Sequence, residues 1–200
     1  MKNIILISGK KQSGKNTVAD YISNKYEYTQ MSFAEELKEY VAKLLKSMGV
    51  HNNGFDIRAS DFEKDEFKKQ VIPYRFNKKK RTYRELLQYF GTEMMRNFFN
   101  DELWVEIVCD QISMFHKSKS IVISDWRFTN EYNSINEAFK NTHNIITIRV
   151  ERESCNFNDS HISENALRDF KYDCVIDNNG TKDELYDKID KLFEEKLIWK

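Results

Sequence analysis

Gly9-Lys10-Lys11-Gln12-Ser13-Gly14-Lys15-Asn16-Thr17 follows directly on the apolar run Ile4-Ile5-Leu6-Ile7, which Ser8 closes. A buried strand feeding a Gly-containing turn, a Lys and a helical pattern is the context a phosphate-binding loop needs. Backbone N–H groups and a helix N-terminus converge there on one anion. Gly9 and Gly14 permit backbone turns that a side chain would block. Lys15 can then lay its ammonium against the β- and γ-phosphates of a nucleoside triphosphate. The hydroxyl usual after that Lys is Asn16 here, and the first hydroxyl comes one place later at Thr17. Either Thr17 or the Asn16 amide oxygen could serve a Mg²⁺. Without a ligand the same residues would form a plain strand-to-helix turn.

The chain of 200 residues suits one domain with room for a real core. Its 32 basic residues balance 32 acidic ones, so no global field draws in DNA or RNA. Cys109, Cys155 and Cys174 form an odd, scattered set, which predicts reduced thiols in a cytosol-like compartment. The apolar opening after Met1 and Lys2 is too short for a signal peptide or a membrane span. His51, His116, His143 and His161 lack metal-ligand spacing, and zinc is not called for.

From Lys15, Val18, Ile22 and Tyr26 recur at helical spacing, and Tyr28 to Ser32 reads as a second strand. Phe33, Leu37, Val41, Leu44, Leu45 and Met48 make a helical stripe that Gly49 stops. Lys38 lies off that stripe, either solvated or turned to a ligand cleft. Residues 49–81 are weakly patterned and hold the single proline, Pro73, which predicts a functional or mobile loop. Lys78-Lys79-Lys80-Arg81 reads as a solvated part of it.

Tyr83, Leu86, Leu87, Phe90 and Met94 predict the apolar face of the next helix, while Arg84, Gln88, Thr92 and Arg96 stand four apart along a second stripe. Two Arg with Gln and Thr between them suit a phosphate and a base edge, or else an ordinary wet face. Gly91 inside this helix points to close approach of another backbone or a ligand. A further helix turns Trp104, Ile107, Val108, Ile112 and Phe115 inward. Ser120 to Ser124 reads as a buried strand ending on Asp125, placed either to grip a Mg²⁺-bound water or to cap a helix. Arg127 would reach the same crevice. Asn144 to Val150 is another strand, with Arg149 near its end and Arg152 just beyond. The polar segment Asp159-Ser160-His161-Ile162-Ser163-Glu164 suits a lid, at about residues 151–168. Asp173 to Asp177 is the last strand, and Thr181-x-x-Glu184 is a capping box opening a final helix with Leu185, Ile189, Leu192, Phe193 and Leu197 inward. Five strands interleaved with helices make a doubly wound α/β domain with a parallel sheet.

Across nearly the whole chain these features resemble the P-loop deoxynucleoside monophosphate kinases of bacteriophages and other viruses, relatives of phosphomevalonate kinase. The resemblance is carried by the loop of form G-K-x-x-S-G-K-[DN]-T, by Arg84-x-Leu86-Leu87-Gln88-x-x-Gly91-Thr92-Glu93, by Trp104-Val105, by Asp125-x-Arg127, by the 159–164 segment and by Ile176-x-Asn178-x-Gly180-Thr181. It implies a P-loop nucleoside monophosphate kinase fold with a helical acceptor-binding region at about 33–115. It also implies transfer of the ATP γ-phosphoryl, with Mg²⁺, to a deoxynucleoside monophosphate for DNA precursor supply in the cytosol. Lys15 and the amides of Lys11, Gln12, Ser13, Gly14, Asn16 and Thr17 would hold the donor phosphates, and Thr17, Asn16 and Asp125 the metal. Arg127, Arg149 and Arg152 would face the transferring group. Lys38, Arg84, Gln88, Thr92, Arg96, Trp126 and Arg127 would line the acceptor site, and Asn178, Gly180 and Thr181 the adenine. The resemblance leaves room for a homodimer and gives no nucleic-acid or membrane partner. A kinase for phosphomevalonate or dephospho-coenzyme A, or a non-catalytic nucleotide-binding regulator, would share the donor loop.

Overall fold

A computed structural model of the chain describes residues 2–76, 78–155 and 166–197. In chain order they form β1 (Lys2–Ser8), α1 (Lys15–Tyr26), β2 (Thr29–Met31), α2 (Glu35–Ser47), β3 (His51–Asn52), β4 (Phe55–Asp56), α3 (Asp65–Lys69), β5 (Val71–Phe76), β6 (Lys79–Thr82) and α4 (Tyr83–Gln88). Beyond α4 come α5 (Leu103–Gln111), β7 (Ile121–Ile123), α6 (Thr129–Phe139), β8 (His143–Glu151), β9 (Cys174–Asp177) and α7 (Lys182–Leu192). The chain divides into two compact units, Met1–Ser32 with Val105–Lys200, and Phe33–Trp104. The expected lid falls largely on residues 156–165, His161 included, which lie outside the described residues.

The first unit is built on a five-stranded parallel sheet in the order β2-β7-β1-β8-β9. β1 is its centre, with Leu6 beside Ile123 on one side and Ser8 beside Arg149 on the other. Covered on both faces, β1 buries Ile4, Ile5, Leu6 and Ile7 completely, which is why it reads as an unbroken apolar run rather than an alternation. Val18, Ala19 and Ile22 of α1 pack with Ile5, Ile7, Val150 and Ile176 of the sheet and with Leu185 and Ile189 of α7 in one core. Every loop leaving the carboxyl end of a strand emerges at the same edge, where open α/β sheets bind ligands.

The second unit corrects the expectation of an irregular loop over 49–81. It holds two antiparallel hairpins, β3–β4 and β5–β6, a 3₁₀ turn at Ala59–Glu63, and α3. Ile57, Phe62, Phe67 and Ile72 are buried there with Val41, Leu45, Tyr83 and Leu86. Those four follow one another five residues apart, matching neither the strand nor the helix period. Asn53-Gly54, both at positive φ, closes β3–β4, and this dipeptide was the available hairpin signal.

The helix from Tyr83 is α-helical only to Gln88 and winds as a π-helix over Tyr89–Phe99. The wider winding changes which side chains stack. Met94, expected inside, is exposed, whereas Thr92 and Arg96, expected on a surface stripe, are buried. Likewise Phe115 is exposed, because winding turns π-helical at Ile112–His116. What approaches Gly91 is side chain rather than the backbone or ligand expected: a methyl group there would overlap the Leu37 side chain, and Trp104 Nε1 donates to its carbonyl at 3.0 Å.

Candidate active site

The loop between β1 and α1 turns back on itself. Ser13 N donates to the Lys10 carbonyl at 3.1 Å, and the backbone passes through the left-handed region at Gln12 (φ 63°) and Gly14 (φ 102°). Lys15, the first residue of α1, folds its ammonium over the loop, donating to the carbonyls of Gly9 at 2.6 Å and Lys10 at 2.8 Å. A side chain at Gly9 would overlap the Val150 carbonyl, and one at Gly14 the Asn178 amide, so this turn admits only glycine at both places. Ser13 Oγ is buried with no hydrogen-bond partner among the described residues. A curled backbone, a cation bent over it and an orphaned buried hydroxyl are what a bound phosphate chain would satisfy, and the donor set fits one. Asn16 is exposed, and Lys11 and Thr17 are half-buried.

Asp125, two residues past β7, is half-buried, and its Oδ2 accepts from Ser32 Oγ at 2.8 Å. Ser32 lies one residue past β2, a partner the sequence reading missed. The cap of α6 belongs instead to Glu131, itself buried, whose Oε2 accepts from the N–H groups of Arg127 at 2.9 Å and Phe128 at 3.1 Å. Asp125 is thereby released from the capping role that a Ser-Asp after a strand suggests. Among the described residues no group of three His, Cys, Asp or Glu could cage a metal. Thr17, Asn16 and Asp125 suit instead an ion whose remaining ligands are phosphate and water, as Mg²⁺ bound with a nucleotide requires.

Arg149, beside Ser8 in the ladder, reaches Ser8 Oγ and Tyr172 OH at 3.5 and 3.4 Å and lies over the Tyr172 ring. Arg127 is half-buried and Arg152 exposed. The structure thus places Lys15 at the start of α1, and Asp125, Arg127, Arg149 and Arg152 on loops or a strand end, at the carboxyl edge of one sheet.

Two expectations are corrected here. Trp126, expected at the acceptor, is fully buried, donates its indole N–H to the Phe128 carbonyl, and packs against Tyr132, Phe170 and Tyr172. It is core. Asn178, expected at the adenine, is buried with its amide on the Ser13 carbonyl at 2.8 Å. Gly180 makes room for the Glu184 carboxylate, which caps Thr181 N at 2.8 Å, so both serve the start of α7.

In the second unit, Arg84 is ion-paired with Asp65 at 2.8 Å, and Lys38 with Glu63 at 2.5 Å and Glu35 at 3.5 Å. Lys68 joins Asp65 at 3.3 Å, and burial pushes its ammonium below the usual lysine range, Asp65 partly offsetting this. Gln88 is half-buried, and Thr92 and Arg96 are buried. Of the acids meeting these cations, Glu63 and Asp65 come from the region that the sequence left unpatterned, and Glu35 from the first turn of α2.

A family model for deoxynucleotide monophosphate kinase matches residues 3–73 and 64–189. The chain belongs to that family. Among relatives, an Acanthamoeba polyphaga mimivirus protein named as a candidate deoxynucleotide monophosphate kinase is 28% identical over 201 residues, covering 93% of each chain. The deoxynucleotide monophosphate kinase of Enterobacteria phage T4 is 24% identical over 237 residues, covering 93% of this chain and 96% of its own. Among solved structures, dephospho-CoA kinase from Campylobacter jejuni aligns over 97% of both chains at 14% identity and a TM-score of 0.48. Membership makes this deoxynucleotide monophosphate kinase family chain an ATP-dependent phosphotransferase acting on a small nucleotide. Among the described residues no helix is long and apolar enough to cross a membrane.

Proposed function

We propose that the protein transfers the γ-phosphoryl group of ATP to a deoxynucleoside monophosphate, giving ADP and the deoxynucleoside diphosphate in the cytosol. The observation carrying this is the Lys15 ammonium bent over the curled Gly9–Gly14 loop, in a chain of this family. Lys15 and the amides from Lys11 to Thr17 hold the donor phosphates, and Asp125, Thr17 and Asn16 order the Mg²⁺. That ion, when bound, neutralises charge on the β- and γ-phosphates. Arg127, Arg149 and Arg152 orient the transferring group and counter its equatorial charge. Arg84, with Lys38 and Gln88, receives the acceptor, while Thr92 and Arg96 lie buried in the π-helical stretch that follows. The acceptor oxygen is already ionised, so no side chain is needed as a strong base, and the residues act by position and charge.

The test is a panel of deoxy- and ribonucleoside monophosphates offered with ATP and Mg²⁺. At least one deoxynucleoside monophosphate should yield its diphosphate, and Lys15→Ala should lower that rate by about 10³-fold or more while the far-ultraviolet spectrum is kept. Transfer to none of them, or full activity in the Lys15 variant, overturns the reading.

A further inference from the structure

We infer that Asn178 is a positioning residue, which fixes the turn of the phosphate loop through the Ser13 carbonyl and so acts on the donor phosphates rather than on the base. This rests on the donor-site reading above. The Asn178 Nδ2 donor meets the Ser13 carbonyl at 2.8 Å across 165 residues of sequence, in a buried setting where a lost partner is costly. Its own N–H donates to the Glu151 carbonyl at 2.8 Å, which locks Asn178 to the end of the β8–β9 ladder. The same amide fills the space beside Gly14 that a methyl group would take, and the Val150 carbonyl stands against Gly9 in the same way. The end of β8, at Val150, and the residue just past β9, Asn178, therefore abut the loop at both of its glycines.

The residue type follows from the geometry. Ser13 offers an acceptor, so its partner must donate, and an aspartate of the same shape would set a carboxylate against a carbonyl. The C-terminal helix holds α1 at a second point. Asp190 accepts from Tyr21, Tyr26 and Lys25 at 2.9, 2.7 and 2.6 Å, while Tyr186 stacks on Tyr21 at 3.9 Å and Phe193 on Tyr26 at 3.8 Å. That second clamp lies at the far end of α1. Asn178 alone of the two touches the loop.

The experiment measures the affinity of ATP and of inorganic tripolyphosphate for wild type, Asn178→Asp, Asn178→Ala and, as a control, Asp190→Asn, together with thermal melts and the KM of each substrate. Both Asn178 variants should bind ATP and tripolyphosphate about tenfold more weakly and leave the acceptor KM unchanged. Asp190→Asn should melt earlier yet keep its tripolyphosphate affinity. Weaker ATP binding with unchanged tripolyphosphate binding would place Asn178 at the base and overturn the inference, as would unchanged affinity for both. Wild type binding neither ligand would instead remove the donor-site reading, and the inference with it. Asn178→Ala, which brings in no charge, carries the measurement where Asn178→Asp melts below the assay temperature.

Discussion

His143 opens β8 at the end of the sheet away from the phosphate loop, beside Lys2 in the ladder. Its ring is buried, with Nε2 at 3.2 Å from the Lys119 carbonyl and Nδ1 at 2.9 Å from Thr142 Oγ1. Burial pushes its pKa below the ordinary 6.5, against the pull of the Lys119 carbonyl. Folding thus favours the neutral ring, and between the lowered folded value and 6.5 the unfolded chain binds more protons. The stability contribution is complete above that range and falls as pH drops through it. Denaturant midpoints taken from pH 8 to 5 should decline on the acid side, and His143→Gln should flatten the decline. An equal slope in both proteins would remove His143 as the cause. Gly9, Gly14 and Lys15 were legible because their meaning lies in local spacing. Asn178 and Ser32 were not, since each acquires its role from a partner 165 or 93 residues away.

Elements whose signals are periodic and local came through the sequence plainly: β1, α1, and the Thr181–Glu184 box at the start of α7. Winding did not, because nothing in a residue pattern distinguishes i+5 from i+4 bonding over Tyr89–Phe99, and the polar stripe read at four-residue spacing lost its common surface there. What remains is Arg84 on the α-helical part, anchored by Asp65 at the start of α3. A charged hydrogen bond of this kind contributes about 1.5–3 kcal/mol. Arg84→Ala should raise the acceptor KM by about tenfold to a hundredfold with little change in the KM for ATP. Asp65→Asn keeps the cation but loosens its anchor, and should shift the same constant less. A change confined to the ATP constant would take Arg84 out of the acceptor site.

For the molecule as a whole, the two compact units divide the proposed donor and acceptor residues between them. The first alone carries the donor loop, Asp125 and the three arginines, and the second carries Arg84, Lys38 and the acids that hold them. The balance of 32 against 32 charges leaves no net charge to recruit polyanions, so affinity for ATP must come from local groups, the loop and its Lys15 first among them. A ligand that binds only the folded state stabilises it by about 2.7 kcal/mol at a hundred times its Kd. In a domain of 150–250 residues each kcal/mol moves the melting midpoint by about 2–4 °C, so saturating ATP should raise it by roughly 5–10 °C. Should the units melt in two steps, the step that shifts reports the first unit. Lys15→Met leaves the core untouched and removes the cation, so its unliganded midpoint should match wild type while most of the ATP shift disappears. Calorimetric scans with and without ATP decide the matter: an undiminished shift in that variant would mean that the nucleotide is held elsewhere than on the loop that follows β1.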